Sequence, residues 1–230
     1  MDNAEIRENV NRILSRIGPG VTLCAATKMN DAGRVQEAIS AGVRVCGENR
    51  VQEMLQKHAQ NAYEGAELHF IGHLQKNKVK HVVGLVSLIQ SVDSLELLEA
   101  IDAEAQKKGL VQSVLLEVNI GREPSKSGFA PEEIPGAVEH AAALKAIRVE
   151  GLMAIPPVCS NPAENRPYFE EMHNIFVDIS TKKYDNISMT LLSMGMSGDY
   201  SEAVSCGSNM VRVGSGIFGP RNYSHPEDSP

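Results

Sequence analysis

The sequence predicts an α/β fold: a single (β/α)8 barrel with one extra helix ahead of the first strand. Three observations predict it. Eight short apolar runs alternate with helix-like stretches along 230 residues, the count and order such a barrel requires. Those runs show little polar alternation, as expected of parallel strands covered outside by helices. The last two, residues 191–200 and 210–219, empty into Gly/Ser turns, where barrels of this type commonly hold a phosphate.

Each element has a local reason. Ile6, Val10, Ile13, Leu14 and Ile17 recur at helical spacing and make the extra helix. Residues 21–27 form a buried strand ending at Lys28, followed by a helix over 31–42 closed by Gly42. A second strand, 43–46, runs into Gly47-Glu48-Asn49-Arg50 and a helix to residue 58. The third strand is 68–73, followed by a lysine-dotted helix, and the fourth is 85–92, closing at Asp93. Leu95, Leu98, Ile101 and Ala105 define an amphipathic helix over 94–108, with Gly109 as its stop. The fifth strand, 111–120, leads into a polar loop, 121–128, and a helix from Pro131. The sixth, 149–155, is stopped by Pro156-Pro157 and followed by a helix over 164–182. The two Gly/Ser-terminated runs supply strands seven and eight. A short helix between them takes Ser197 or Asp199 as its cap. No composition shift divides the chain, so one domain is expected over 1–221, with 222–230 as a disordered tail.

Composition narrows the function. With 22 basic and 29 acidic residues the net charge is −7, which argues against a nucleic-acid surface. The densest basic run, Gln75 to His81, reads as a solvated helix face. Cys24, Cys46, Cys159 and Cys206 lack metal-finger spacing, and the first two sit in apolar runs as core residues. His69 and His73 lack a third ligand of suitable spacing, so no metal is expected. The acidic amphipathic start reads as neither signal nor transit peptide, and no apolar run reaches membrane-spanning length. A cytoplasmic protein is expected, without a membrane partner.

The strand exits carry Lys28, Asn49, His73, Asp93, Asn119, Ser197 and Arg212. Lys28 follows six residues without a charge and shares a face with the small Ala26 and Cys24. Arg212 shares a face with Met210 and Gly214, and strands one and eight become neighbours when a barrel closes. Two cations facing each other, partly desolvated, would lower a lysine's pKa and make it an amine nucleophile. The alternative is that Lys28 reaches solvent and Arg212 pairs with a carboxylate. Lys126 is a second lysine within an aldehyde's reach, but on a loop that reads as mobile. Met189, Met194 and Met196 read as barrel filling, and Asp199 as a partner of the helix dipole. An amine nucleophile beside a phosphate cradle fits either a Schiff-base aldolase on a sugar phosphate or a protein holding pyridoxal phosphate on lysine. In the second case an arginine at the ring nitrogen keeps that nitrogen unprotonated and the ring a poor electron sink.

Nearly the whole chain resembles the pyridoxal phosphate homeostasis proteins, barrels related to the cofactor domain of alanine racemase. The resemblance rests on Lys28, the 47–53 block Gly-Glu-Asn-Arg-Val-Gln-Glu, residues 69–78, Ser125-Lys126-Ser127-Gly128, Gly151-Leu152-Met153, residues 192–199, and the closing 207–219 blocks. It implies a lysine aldimine on Lys28, a cofactor contact by Asn49, and phosphate contacts at Ser197, Gly198 and Gly214; the reading of the residues themselves places Arg212 near the ring nitrogen. It further implies a role in storing or buffering pyridoxal 5'-phosphate, with no established catalytic turnover; a monomer that delivers the cofactor to apo-enzymes is expected alongside it. Met29-Asn30 stands where a Thr-Lys-Pro-like run is common, and Leu68 where tryptophan is frequent. The rival is an amino-acid racemase, which needs a second base; none of the five tyrosines is marked as one by pattern.

Overall fold

The computed structural model describes residues 2–220. The expected tail, 222–230, lies outside the described residues. Eight parallel strands close into a barrel in sequence order: β1 (Thr22–Ala26), β2 (Val45–Glu48), β3 (Glu67–Phe70), β4 (Leu88–Val92), β5 (Gln112–Val118), β6 (Ile147–Ala154), β7 (Ile187–Ser193) and β8 (Met210–Val213). Helices α2 (Ala32–Ser40), α3 (Val51–His58), α4 (Val79–Val82), α5 (Leu95–Lys108), α6 (Ile134–Ala142), α7 (Arg166–Ser180) and α8 (Tyr200–Ser205) fill the crossovers, and α9 (Ser215–Phe218) follows the last strand. The extra helix α1 (Asn3–Ile17) precedes β1, as expected.

Helix α1 starts on a reciprocal cap: Asp2 accepts from the Glu5 amide and Glu5 from the Asp2 amide. It buries Ile6, Val10, Ile13 and Ile17, each contributing about 1.5–3 kcal/mol of apolar transfer free energy. Its polar face is pinned by Asn9 donating to Ile217 O and Arg7 pairing with Glu37. Helix α5 is capped by Ser94 and stopped by Gly109 at φ 66. Its inward stripe carries Leu97, Leu98, Ile101 and Ala105, while Leu95 faces outward.

Two apolar layers result. The barrel interior is filled by Cys24, Val45, Ile71 and Met210, and by Leu88, Leu115 and Met153. The larger layer lies between sheet and helices and takes in Met194, with Met189 packed against it. Those two methionines therefore do not fill the barrel. Cys24 and Cys46 are core residues, as expected.

Several boundaries move. Strand β2 begins at Val45 because the Val43 amide is taken by Ala38 O in the turn after α2. Leu85 and Val86 both donate to Val82 O, finishing the turn after α4 and delaying β4 to Leu88. The lysine-dotted segment is a 3-10 turn, Lys76–Lys78, and one turn of α-helix. Gly151 marks a shift in register between β6 and β7. Its φ is +153, and a Cβ there would stand 1.8 Å from Leu191 O, which only glycine avoids.

The seam between β7 and β8 is narrow, with Ser193 opposite Met210 as its one paired position. Side chains extend it. Asn209 accepts from the Leu192 amide at 2.8 Å and donates to Thr190 O at 2.7 Å. The Ser208 hydroxyl sits 2.8 Å from Met194 O and 3.1 Å from Leu192 O.

Candidate functional site

Lys28 lies two residues beyond β1, half-buried at the barrel mouth. Thr27 prolongs the pairing by donating its amide to Gly47 O at 2.9 Å. Ala26, Lys28, Asn30, Arg34, Gly214 and Phe218 help line one cavity of about 150 Å³. Lys28 and Gly214, from opposite ends of the chain, are thus brought together.

A buried ionic cluster stands behind this loop, between β2 and α3. Glu48 Oε1 accepts from Thr27 Oγ1 at 2.6 Å, Lys57 Nζ at 2.8 Å and Tyr63 OH at 3.0 Å. Lys57 Nζ also donates to Thr27 O at 2.7 Å and pairs with Glu53 at 2.6 Å. Glu53 in turn accepts the Met29 amide. Burial pushes the Glu48 carboxyl above its ordinary range, and Lys57 opposes that shift.

Arg212 is not at a strand exit. It sits within β8, opposite Cys24 and 4% exposed, so Lys28 lies four residues nearer the mouth than its paired rung. Among the described residues no carboxylate holds it either. Nη1 donates to Ser193 O at 2.9 Å and Ser193 Oγ at 2.6 Å, and Nη2 to Ala154 O at 2.9 Å. Of five guanidinium N–H groups, these bonds use three. Burial works against the Arg212 charge, with Cys24, Glu117 and Asp199 favouring it.

From Arg212 a polar chain crosses the barrel interior. Ser193 Oγ donates to Gln90 Oε1 at 2.7 Å, and Gln90 Nε2 lies 2.9 Å from His69 Nδ1. That order makes His69 Nδ1 an acceptor and puts its proton on Nε2, which is 3.4 Å from Glu67 Oε2. Burial holds the His69 pKa below its ordinary value, with Glu67 opposing.

The two Gly/Ser turns meet: Gly216 donates its amide to Ser197 Oγ at 3.1 Å. Among the described residues, the amides of Ser197, Gly198 and Ser215 meet no acceptor. Asp199 holds the N-cap position of α8, as one of the two expected caps, but makes no side-chain cap bond there. Its carboxylate accepts from Met196 N at 2.7 Å and Asn165 Nδ2 at 2.8 Å, tying the turn down. Gly198 faces a different cavity from Lys28, one of about 430 Å³ lined also by Pro156, Asn165 and Met196.

Asn49 follows β2 and does not cap α3; Arg50 holds that position, without a side-chain cap bond. The Asn49 Oδ1 atom is buried and has no hydrogen-bond partner among the described residues, a cost a native fold rarely leaves unmet. Gly72 fixes the backbone here, since a Cβ on it would stand 2.2 Å from Asn49 O. Asn49 lines a third cavity, about 500 Å³, with His73, Gln75 and Lys78. His73 lies beyond β3 and bonds Asp93 Oδ2 at 2.9 Å. Nearby on β5, burial and Asp93 push Glu117 up to about 7, with Arg212 and His73 opposing.

Lys126 is not loose in solvent: it pairs with Glu123 and donates to Pro156 O. Asn119 organises the same loop through Glu123 and Lys126. Among the described residues no three His, Cys, Asp or Glu side chains are grouped to hold a metal, and no helix is long and apolar enough to cross a membrane. Sequence reasoning missed Glu48, Glu53, Lys57, Gln90 and Ser193. The spacing of Glu53 and Lys57, i and i+4 on one helix face, was the one legible signal among them.

The model of the family "Alanine racemase, N-terminal domain" matches residues 1–222. The pyridoxal phosphate homeostasis protein of Aquifex aeolicus is 39% identical over 223 residues, covering 96% of this chain and 97% of that one. That of Escherichia coli strain K12 is 36% identical over 227 residues, covering 96% of each. PipY of Synechococcus elongatus, solved with pyridoxal phosphate bound, superposes with a TM-score of 0.85 at 32% identity, over 93% of this chain and all of that one. An alanine racemase of Clostridium difficile, at 18% identity and a TM-score of 0.73, shares the fold over 58% of its length.

Proposed function

The chain belongs to the family of the alanine racemase N-terminal domain and, within it, to the pyridoxal phosphate homeostasis proteins, and from that footing we propose that it binds pyridoxal 5'-phosphate covalently through Lys28 Nζ. The observation that carries the reading is the shared cavity of Lys28 and Gly214, with Ser197 tying the neighbouring turn to Gly216. The residues present fit the cofactor. Unpartnered amides at Ser197, Gly198 and Ser215 suit a phosphate, and the orphaned Asn49 Oδ1 is a buried acceptor awaiting a donor. Arg212 retains N–H groups for a ring nitrogen.

Bound there, the cofactor would supply an aldehyde and an electron-withdrawing ring. The chain's own residues do the rest. Lys28 takes the aldehyde, Ser197, Gly198 and Gly214 hold the phosphate, Asn49 contacts the ring's surroundings, and Arg212 faces the ring nitrogen. A guanidinium does not give up its proton, so the ring is kept a weak electron sink. That favours retention over turnover. We read the protein as a cytoplasmic, monomeric, single-domain carrier over 1–221 that stores or buffers the cofactor or delivers it to apo-enzymes, rather than as an enzyme.

The test is an absorption spectrum after incubation with the cofactor. The wild type should show a yellow band that borohydride bleaches, and Lys28→Ala should lack it; a colourless wild type overturns the reading. Solvent-deuterium uptake at Cα across a panel of amino acids separates carrier from racemase, and sustained uptake would make it an enzyme.

A further inference from the structure

Three consecutive residues form the loop that presents the lysine, and both neighbours of Lys28 are tied to the same ionic cluster. Thr27 is held twice, its hydroxyl by Glu48 and its carbonyl by Lys57. Met29 is held once, by its amide on Glu53. Met29 also adopts φ +61, a left-handed conformation unfavourable for a residue with a Cβ. Such conformations persist where the surroundings over-determine them, and the Glu53 bond is the restraint in place here. Lys57 has three ammonium protons and three acceptors, Thr27 O, Glu48 and Glu53, so its amine is fully occupied and does not compete with Lys28.

We propose that Glu53 is a positioning residue: held by Lys57, it fixes Met29 and so keeps the Lys28 amine aimed into the cavity it shares with Gly214. The inference rests on the reading that Lys28 takes the cofactor's aldehyde. In that step the neutral Lys28 amine adds to the aldehyde carbon. The carbonyl oxygen leaves as water, taking both amine protons, and a carbon–nitrogen double bond remains. Rotation about residues 27–29 would turn the amine from that approach, while the phosphate turns, which follow β7 and β8 and are joined by the Gly216 amide on Ser197 Oγ, keep their own backbone. Position should therefore govern attachment separately from non-covalent affinity.

Glu53 suits mutation because its side chain is 21% exposed and lies at the surface end of the cluster. Two probes are compared on the full chain. Pyridoxal phosphate reports attachment, by absorbance and by mass after borohydride trapping. Pyridoxine 5'-phosphate, which lacks the aldehyde, reports non-covalent binding by calorimetry. In Glu53→Ala, attachment at Lys28 should fall roughly tenfold, the scale of one lost charge-assisted hydrogen bond, while pyridoxine phosphate binds as in the wild type. Glu53→Gln keeps an amide oxygen for the Met29 N–H and should restore most of the attachment. Wild-type attachment in Glu53→Ala, or equal weakening of both probes, overturns the positioning role and leaves the Lys28 reading standing. Trapping of the wild type on another lysine, or none, overturns the Lys28 reading and this inference with it.

Discussion

Two buried polar systems flank the site, and they are built on opposite principles. Inside the barrel, Arg212, Ser193, Gln90 and His69 form a directional chain in which each link joins one donor to one acceptor. Outside it, beneath α3, one oxygen of Glu48 receives three donors while its twin, Oε2, is buried with none. The interior chain carries one formal charge, at its end, and beyond that fixes orientation without further desolvated ions. The outer cluster gathers three charged side chains where ion desolvation is costly and attraction must offset it. A fold can aim a side chain by either route, but the second should be the more sensitive to losing a single partner.

The sharpest way to break this comparison is Lys57→Met, which leaves Glu48 buried beside Glu53 without a cation. The expected loss is about 3–5 kcal/mol in urea denaturation. Glu48 is already pushed up by burial. A carboxyl raised in the folded state is favoured when protonated, so the loss should be larger at pH 8 than at pH 5. A small, pH-independent loss would mean the cluster is no more exacting than the interior chain. Next comes Glu117→Gln. Glu117 titrates at about 7 against an ordinary 4.5, so it favours the folded state below pH 4.5 and loses that contribution as pH rises to about 7. The variant should be more stable than wild type by about 2–3 kcal/mol at pH 8 and no more stable at pH 4. Equal stability at both pH values would show that Arg212 and His73 already neutralise it. The smallest effect belongs to Gln90→Leu, which orphans the Ser193 hydroxyl and His69 Nδ1. A loss of about 1–2 kcal/mol is expected, little changed between pH 7 and pH 9. A loss matching that of Lys57→Met would erase the distinction.

The comparison also shows what was legible in the sequence. The barrel itself was readable, because eight apolar runs alternating with helical periods admit few other arrangements, and Lys28 stood out as a lone charge after an apolar run. Strand ends were misplaced where a turn consumed apolar residues, as at Val43, Leu85 and Val86. Side-chain direction over long sequence separations was not readable. Ser193 and Gln90 lie 103 residues apart and meet only because β7 and β4 face each other across the closed barrel. Glu48 looked like part of a polar turn, yet it is the last residue of β2 and turns outward beneath α3. Asp199 was read as serving a helix dipole, but the acceptor role it fills is set by Asn165, 34 residues earlier.

Arg212 has a second consequence, which follows from the narrow seam between β7 and β8. Its bonds to Ser193 and Ala154 cross from β8 to β7 and β6, so the guanidinium proposed to face a ligand is also one of the clasps that close the ring. Whatever occupies the mouth and engages Arg212 acts on a closure element. Occupancy and ring integrity are then thermodynamically linked: a bound ligand raises the free energy needed to part the last two strands, by mass action. An Arg212→Ala variant, by the same linkage, cannot separate a lost ligand contact from a loosened ring, whereas Lys28 and Glu53 lie off the seam and can be changed without opening it.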